Sequence, residues 1–125
     1  KDIGLRLLPA GGAEEIKVVG SLGIYVFDDG PAALAFAQTF RQELARHDIA
    51  CRVGIDVGAV LIFDLSVGGK DIAGNPVNVA SKMAQDKGVF GKVYLSAAVK
   101  DRVSASGYRK VSYVVSGVEM TVYEG

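Results

Sequence analysis

Asn78 and Lys82 stand four residues apart in the run 71–83, which reads Asp-Ile-Ala-Gly-Asn-Pro-Val-Asn-Val-Ala-Ser-Lys-Met. A polar, glycine-containing turn leads into an amphipathic helix, so the two side chains share one helix face. An amide and a cation held side by side can grip a phosphate. Asn is a poor helix former, and its place in a helix interior favours a role beyond folding. Lys82 also reads as an ordinary surface lysine, and Asp71 as a turn former.

The elements that must position this run follow from patterning. Ile16-Lys17-Val18-Val19 reads as a strand, Gly20-Ser21 as its turn, and residues 22–27 as a second strand, a hairpin signal. Asp28-Asp29-Gly30-Pro31 opens a helix, with an Asp or Gly cap and Pro in the first turn. Ala33, Ala37, Phe40 and Leu44 give that helix an apolar stripe ending near His47-Asp48. Residues 49–56 and 58–65, rich in Val and Ile, read as two strands. Gly54 and Gly58 within them mark a bulge or a close backbone approach. Val67-Gly68-Gly69 reads as a loop. In the following helix Val77, Ala80 and Ala84 form the expected core side, and Lys87-Gly88 the close. Residues 93–95 read as a short strand, Ser96 as the cap of a short helix to about Arg102, and 108–115 with 118–123 as a hairpin around Ser116-Gly117. Residues 1–12 are the least readable; Leu5, Leu7 and Leu8 suit a helix end or a short strand. Helices and strands mix without strict alternation, which predicts an α+β fold: a largely antiparallel sheet with helices on one face.

Composition bounds the function. The 125 residues fit a single domain, 1–125, and half are apolar. Fourteen basic and fourteen acidic residues cancel, which removes the electrostatic case for a nucleic-acid partner but allows a small anionic ligand. One cysteine, Cys51, excludes an internal disulfide framework and a multi-cysteine metal site, and suits a cytosolic setting. We expect it buried and inert. The strongly apolar run 57–63 is too short to cross a membrane, so no membrane contact by this domain is expected. His47 reads as a helix C-terminal side chain favouring the dipole, and Asp28 and Asp29 as caps, not metal ligands.

Three stretches in order and near register resemble the class III adenylate and guanylate cyclase homology domain. Ile16-Lys17-Val18-Val19-Gly20-Ser21 lies where that family has Lys-x-x-Gly-Asp. Arg52-Val53-Gly54-Ile55-Asp56-Val57-Gly58-Ala59-Val60 is similar to its Arg-x-Gly-Ile-His-x-Gly-x-Val strand pair. The opening run is similar to Asp-x-x-Gly-x-x-Val-Asn-x-Ala-x-Arg. The resemblance covers about Gly11 to Glu124 and implies the ferredoxin-like cyclase fold, here without its N-terminal strand and helices.

What the resemblance implies for the site is mixed. Lys17 and Asp71 fall where adenylate cyclases read the adenine edge with a donor and an acceptor. Asn78 matches the residue that orients the ribose. Lys82 replaces the transition-state Arg, keeping the charge but losing the planar fork. The family holds two divalent cations on two acidic residues. One belongs to a first strand that this sequence does not contain; Asp2-Ile3-Gly4-Leu5 is an accidental echo of it. The other falls at Ser21, a neutral hydroxyl, so no metal ligand is expected. No Lys stands in Val114-Val115-Ser116-Gly117, where a further phosphate contact belongs. The pattern resembles the non-metal half of the mammalian membrane adenylate cyclases, with Arg exchanged for Lys. The family works as head-to-tail dimers, which implies a homodimer or a heterodimer with another cyclase domain, through the 54–65 strands and the Asn78 helix. ATP is the implied ligand. Mg²⁺ or Mn²⁺ enters only if a partner or a missing segment supplies the carboxylates. Three readings stay open: a domain deficient by itself that acts as a regulatory or non-metal half in cyclic-nucleotide signalling; an active adenylate cyclase whose metal-binding strand lies outside this chain; and an ATP-sensing or dimerisation module without catalysis. A diguanylate cyclase is excluded, because its Gly-Gly-Asp/Glu-Glu-Phe hairpin is missing and Gly11-Gly12-Ala13-Glu14-Glu15 precedes a strand.

Overall fold

A computed structural model describes residues 2–9, 11–85, 89–104, 106–115 and 117–125. The described elements run α1 (Asp2–Leu7), β1 (Ala13–Val19), β2 (Leu22–Phe27), α2 (Gly30–Ala45), β3 (Arg52–Ile55), β4 (Leu61–Asp64), β5 (Lys70–Ala73), α3 (Asn75–Gln85), β6 (Lys92–Ser96), α4 (Ala97–Lys100), β7 (Arg109–Val115) and β8 (Val118–Glu124). The fold is α+β. Pairing is mostly antiparallel: β1 with β2, β4 with β5, and β6–β8–β7 within a four-stranded sheet.

Local chemistry explains the helix ends. Asp29 caps α2, its Oδ1 accepting from the Ala32 amide at 2.7 Å, and Pro31 sits in the first turn, where a missing N–H costs nothing. Ser96 caps α4 in the same way, accepting from Val99 N at 3.3 Å. α4 is shorter than expected, ending at Lys100. The segment around Leu5 and Leu7 is helical. The expected close of α3 at Lys87-Gly88 and the turn residue Ser116 lie outside the described residues.

The middle of the chain corrects the strand reading. The segments read as neighbouring strands do not pair with each other. β3 pairs in parallel with β6, Arg52 opposite Lys92, and β4 pairs with β5, Phe63 opposite Asp71. The stretch expected to be only loop and turn before α3 therefore contains a strand. Lys70-Asp71-Ile72-Ala73 extends because β4 offers it a ladder, which outweighs weak β propensity.

The core lies between α2, α4 and the central strands. Leu34, Ala37, Val93, Leu95 and Val99 form one buried cluster, with Val53 and Ile55 packed against it. Leu34 and Phe36 join Ala37 on the buried side of α2, while Phe40 stays half-buried and stacks on Phe36. A second cluster joins Met83 of α3 to Tyr94 and Val122, with Val79 against it. Met83 and Val79 thus anchor α3, and the expected core residues Val77, Ala80 and Ala84 are half-buried. Tyr94 is fully buried, and its hydroxyl donates to Glu124 Oε2 at 2.8 Å and accepts from Val89 N at 2.7 Å.

Candidate functional site

The site is built where α3 crosses the strands. Gly54 of β3 lies against the backbone of α3, and a Cβ there would collide with the Ala80 carbonyl. That contact, foreseen from the two glycines, seats the helix on the strand. Gly74 makes the corner into α3 with φ 143, and an added Cβ there would sit 3.0 Å from the Ala59 carbonyl oxygen. The Gly74 carbonyl accepts from Val77 N at 3.2 Å and Asn78 N at 3.4 Å, starting the helix.

Asn78 and Lys82 lie one turn apart on the exposed face of α3, as the spacing requires. Neither side chain has a hydrogen-bond or ion-pair partner among the described residues, so both are available to a ligand. Lys17 and Asp71, 54 positions apart in the chain, come together: Lys17 Nζ stands 2.8 Å from Asp71 Oδ1, each side chain 32% exposed. Asp71 Oδ1 also accepts from the Ile72 amide at 2.8 Å. The bond from Lys17, then that from Ile72, holds the Asp71 carboxyl below its ordinary range. An ammonium has three donors and a carboxylate several lone pairs, so each partner keeps capacity for a ligand while bound to the other.

A second ion pair runs beside the first. Lys70 Nζ lies 2.6 Å from Glu14 Oε2, and the Lys70 ammonium is shifted up by that bond to Glu14. Patterning did not single out Glu14 or Lys70. The readable signal was their place, Lys70 next to Asp71 and Glu14 three before Lys17 in the same strand.

Ser21 sits exposed in the β1–β2 turn. Its neutral hydroxyl does not fit a divalent cation, and among the described residues no three His, Cys, Asp or Glu side chains cluster to hold one. Asp29 is engaged in capping α2. Cys51 is half-buried, not fully buried as expected, and burial pushes its thiol up, away from nucleophilic character. His47 is exposed at the end of α2, 3.9 Å from Glu43. No described helix is long and apolar enough to cross a membrane.

Residues 58–70 are all exposed, and they include Leu61, Ile62, Phe63, Leu65 and Val67, the last 92% exposed. An apolar arm therefore projects next to Asp71. Monomeric surfaces scatter such residues singly; a run of them marks a contact surface.

The family model described as the adenylate and guanylate cyclase catalytic domain matches residues 31–123. No curated protein matches the chain. Among solved structures, the chain is similar to an adenylate/guanylate cyclase/hydrolase from Silicibacter pomeroyi, with 23% identity and TM-score 0.70 over 98% of this chain and 75% of that one. It is similar to the guanylyl cyclase domain of a fusion protein from the aquatic fungus Blastocladiella emersonii, with 20% identity and TM-score 0.74 over 98% and 72%. Adenylate cyclases from Trypanosoma brucei give 18% identity and TM-score 0.72 over 98% and 74%. At these identities the likeness concerns the fold.

Proposed function

The chain belongs to the adenylate and guanylate cyclase catalytic domain family, and from that premise we propose that it is half of a nucleotide site, not a self-sufficient cyclase. The observation that carries the reading is the meeting of Lys17 with Asp71 at 2.8 Å, at the same time as Ser21 stands where a metal carboxylate is needed. A donor and an acceptor side by side suit the neighbouring ring nitrogen and exocyclic amine of adenine; guanine presents the opposite order. Asn78 is assigned to the ribose and Lys82 to the phosphates. Both are exposed and unpartnered among the described residues, which supports binding from the open side of α3.

Divalent cations would activate the ribose hydroxyl and neutralise phosphate charge in the family's reaction. The residues described do not fit them, so the carboxylates would come from a partner or from a segment outside these residues. That partner is a second cyclase domain, the same or different, seated on the apolar arm at 58–70. The arm lies beside Asp71 and exposes Leu61 at 64% and Phe63 at 40%, which supports a shared interface next to the site.

The test is turnover and binding by the pure chain. We expect no cyclic AMP from ATP with Mg²⁺ or Mn²⁺, and calorimetric binding that prefers ATP to GTP and weakens on Asp71→Ala. Turnover by the pure chain that Asn78→Ala abolishes would refute the half-site. Absence of any nucleotide binding at millimolar concentration would leave a dimerisation module instead.

A further inference from the structure

β1 contains a bulge. Glu14 pairs with Val26 and Lys17 with Ile24, the register shifting between Glu15 and Lys17. Ile16 is the extra residue, buried at 6% exposure. Cross-strand partners share a face, and Val26 and Ile24, two apart, share one. Glu14 and Lys17 therefore fall on the same face, although a regular strand would send residues three apart to opposite faces.

Both then meet consecutive residues of β5. Glu14 takes Lys70 at 2.6 Å and Lys17 takes Asp71 at 2.8 Å. The two pairs have opposite polarity. A slip of β5 by one residue would turn Lys70 and Asp71 to the opposite faces and separate both pairs. No backbone ladder joins β5 to β1, because the described strands group β1 with β2 and β4 with β5 in separate sheets. Side chains, not main-chain bonds, set how β5 lies along β1.

We infer that Glu14 and Lys70 are positioning residues: their ion pair, on the face set by the Ile16 bulge, holds Asp71 against Lys17 and so sets how sharply the site separates adenine from guanine nucleotides. This rests on the base-reading role proposed above for Lys17 and Asp71. An exposed ion pair contributes little to folding. Its effect here is placement, and placement of a donor and an acceptor governs which base edge is accepted.

The experiment uses the whole chain with Glu14→Gln, Lys70→Gln and Lys70→Arg. Two readouts are taken: ATP and GTP affinities by calorimetry, and the Asp71 carboxyl titration followed by carbon NMR. Glu14→Gln and Lys70→Gln are expected to reduce the ATP-over-GTP preference by about two- to five-fold, the range of an exposed ion pair, with the melting temperature nearly unchanged. They are expected to move the Asp71 midpoint up, toward an ordinary carboxyl. In Glu14→Gln that sign is diagnostic: removing a nearby negative charge would by itself move the midpoint down, whereas losing the Lys17 contact moves it up. Lys70→Arg keeps the charge and should keep both readouts. An Asp71 midpoint that stays or falls in Glu14→Gln overturns the positioning role. A wild-type chain that does not prefer ATP removes the base-reading role instead, and the Asp71 midpoint still decides the positioning.

Discussion

Gly54→Ala tests the seat of α3 directly. The added Cβ would overlap the Ala80 carbonyl, a backbone atom that no rotamer change can move aside. Either β3 or α3 must shift. β3 is bonded along its length to β6, with Val53 and Ile55 packed on the main core, so the helix is the part that yields. Insertions of this kind into a packed contact cost about 1–3 kcal/mol. For a chain of this length each kcal/mol lowers the melting temperature by roughly 4 °C, so a fall of about 4–12 °C is expected in a thermal melt followed by circular dichroism. Gly11→Ala is the control: a Cβ there meets nothing within 4 Å, and its effect should stay within about 0.5 kcal/mol. Ala80 lies between Asn78 and Lys82, so amide resonances of residues 77–84 should move in Gly54→Ala and not in the control. Equal melting temperatures for the two variants, with those resonances unmoved, would refute the close approach and the seating of the site helix that depends on it.

Two further outcomes follow from single contacts. Asp29→Ala removes the oxygen that caps the Ala32 amide and should cost about 1 kcal/mol in chemical denaturation, with Asp29→Asn retaining most of it. Acid stability should track Glu124. The Tyr94 hydroxyl, then Arg109, hold its carboxyl below the ordinary value of 4.5, and a lowered folded pKa gives stability that is present above that value and lost as the pH falls through the folded pKa. The wild-type melting temperature should therefore drop below about pH 4.5, and Glu124→Gln should flatten that drop while lowering stability near neutrality. An unchanged acid limb in the variant would remove Glu124 from the account; Asp71, also lowered, adds to the same limb.

Much of the fold was legible because it is written locally. Asp29 with Pro31, and Ser96, announce helix starts through bonds that close within three residues. The β7–β8 hairpin was legible from strand patterning flanking a glycine turn. The features that were not legible depend on partners far along the chain. β3 finds β6 forty positions later, and nothing in residues 52–55 names that partner. β5 is a strand because β4 lies beside it; its own residues, Lys, Asp, Ile and Ala, argue weakly for one. The core side of α3 was assigned to Val77, Ala80 and Ala84 by periodicity, but the close approach at Gly54 turns Ala80 against backbone and leaves Met83 and Val79 to fill the apolar space. Lys17 and Asp71 were singled out together by the family resemblance, and they do meet, while the bulge that puts Glu14 on the same face as Lys17 has no signature in the alternation of β1.

The same geometry bears on why half a site would need a partner for more than its carboxylates. Lys17 and Asp71 are each about a third exposed, and they sit on two hairpins that share no backbone ladder. Water competes for both groups, so the energetic difference between a matched and a mismatched base is smaller while the face is open than when it is covered. A domain seated on the apolar arm would exclude that water. Each hydrogen bond to the base would then be made in a lower dielectric, and a mismatched base would leave a donor or acceptor without either a partner or solvent. On the proposed reading, the isolated chain should already prefer adenine to guanine, and the discrimination should sharpen on association. The exposure of Leu61, Phe63 and Val67 next to Asp71 places the two requirements, burial of the arm and dehydration of the base pair, on one surface, so that a single docking event would satisfy both.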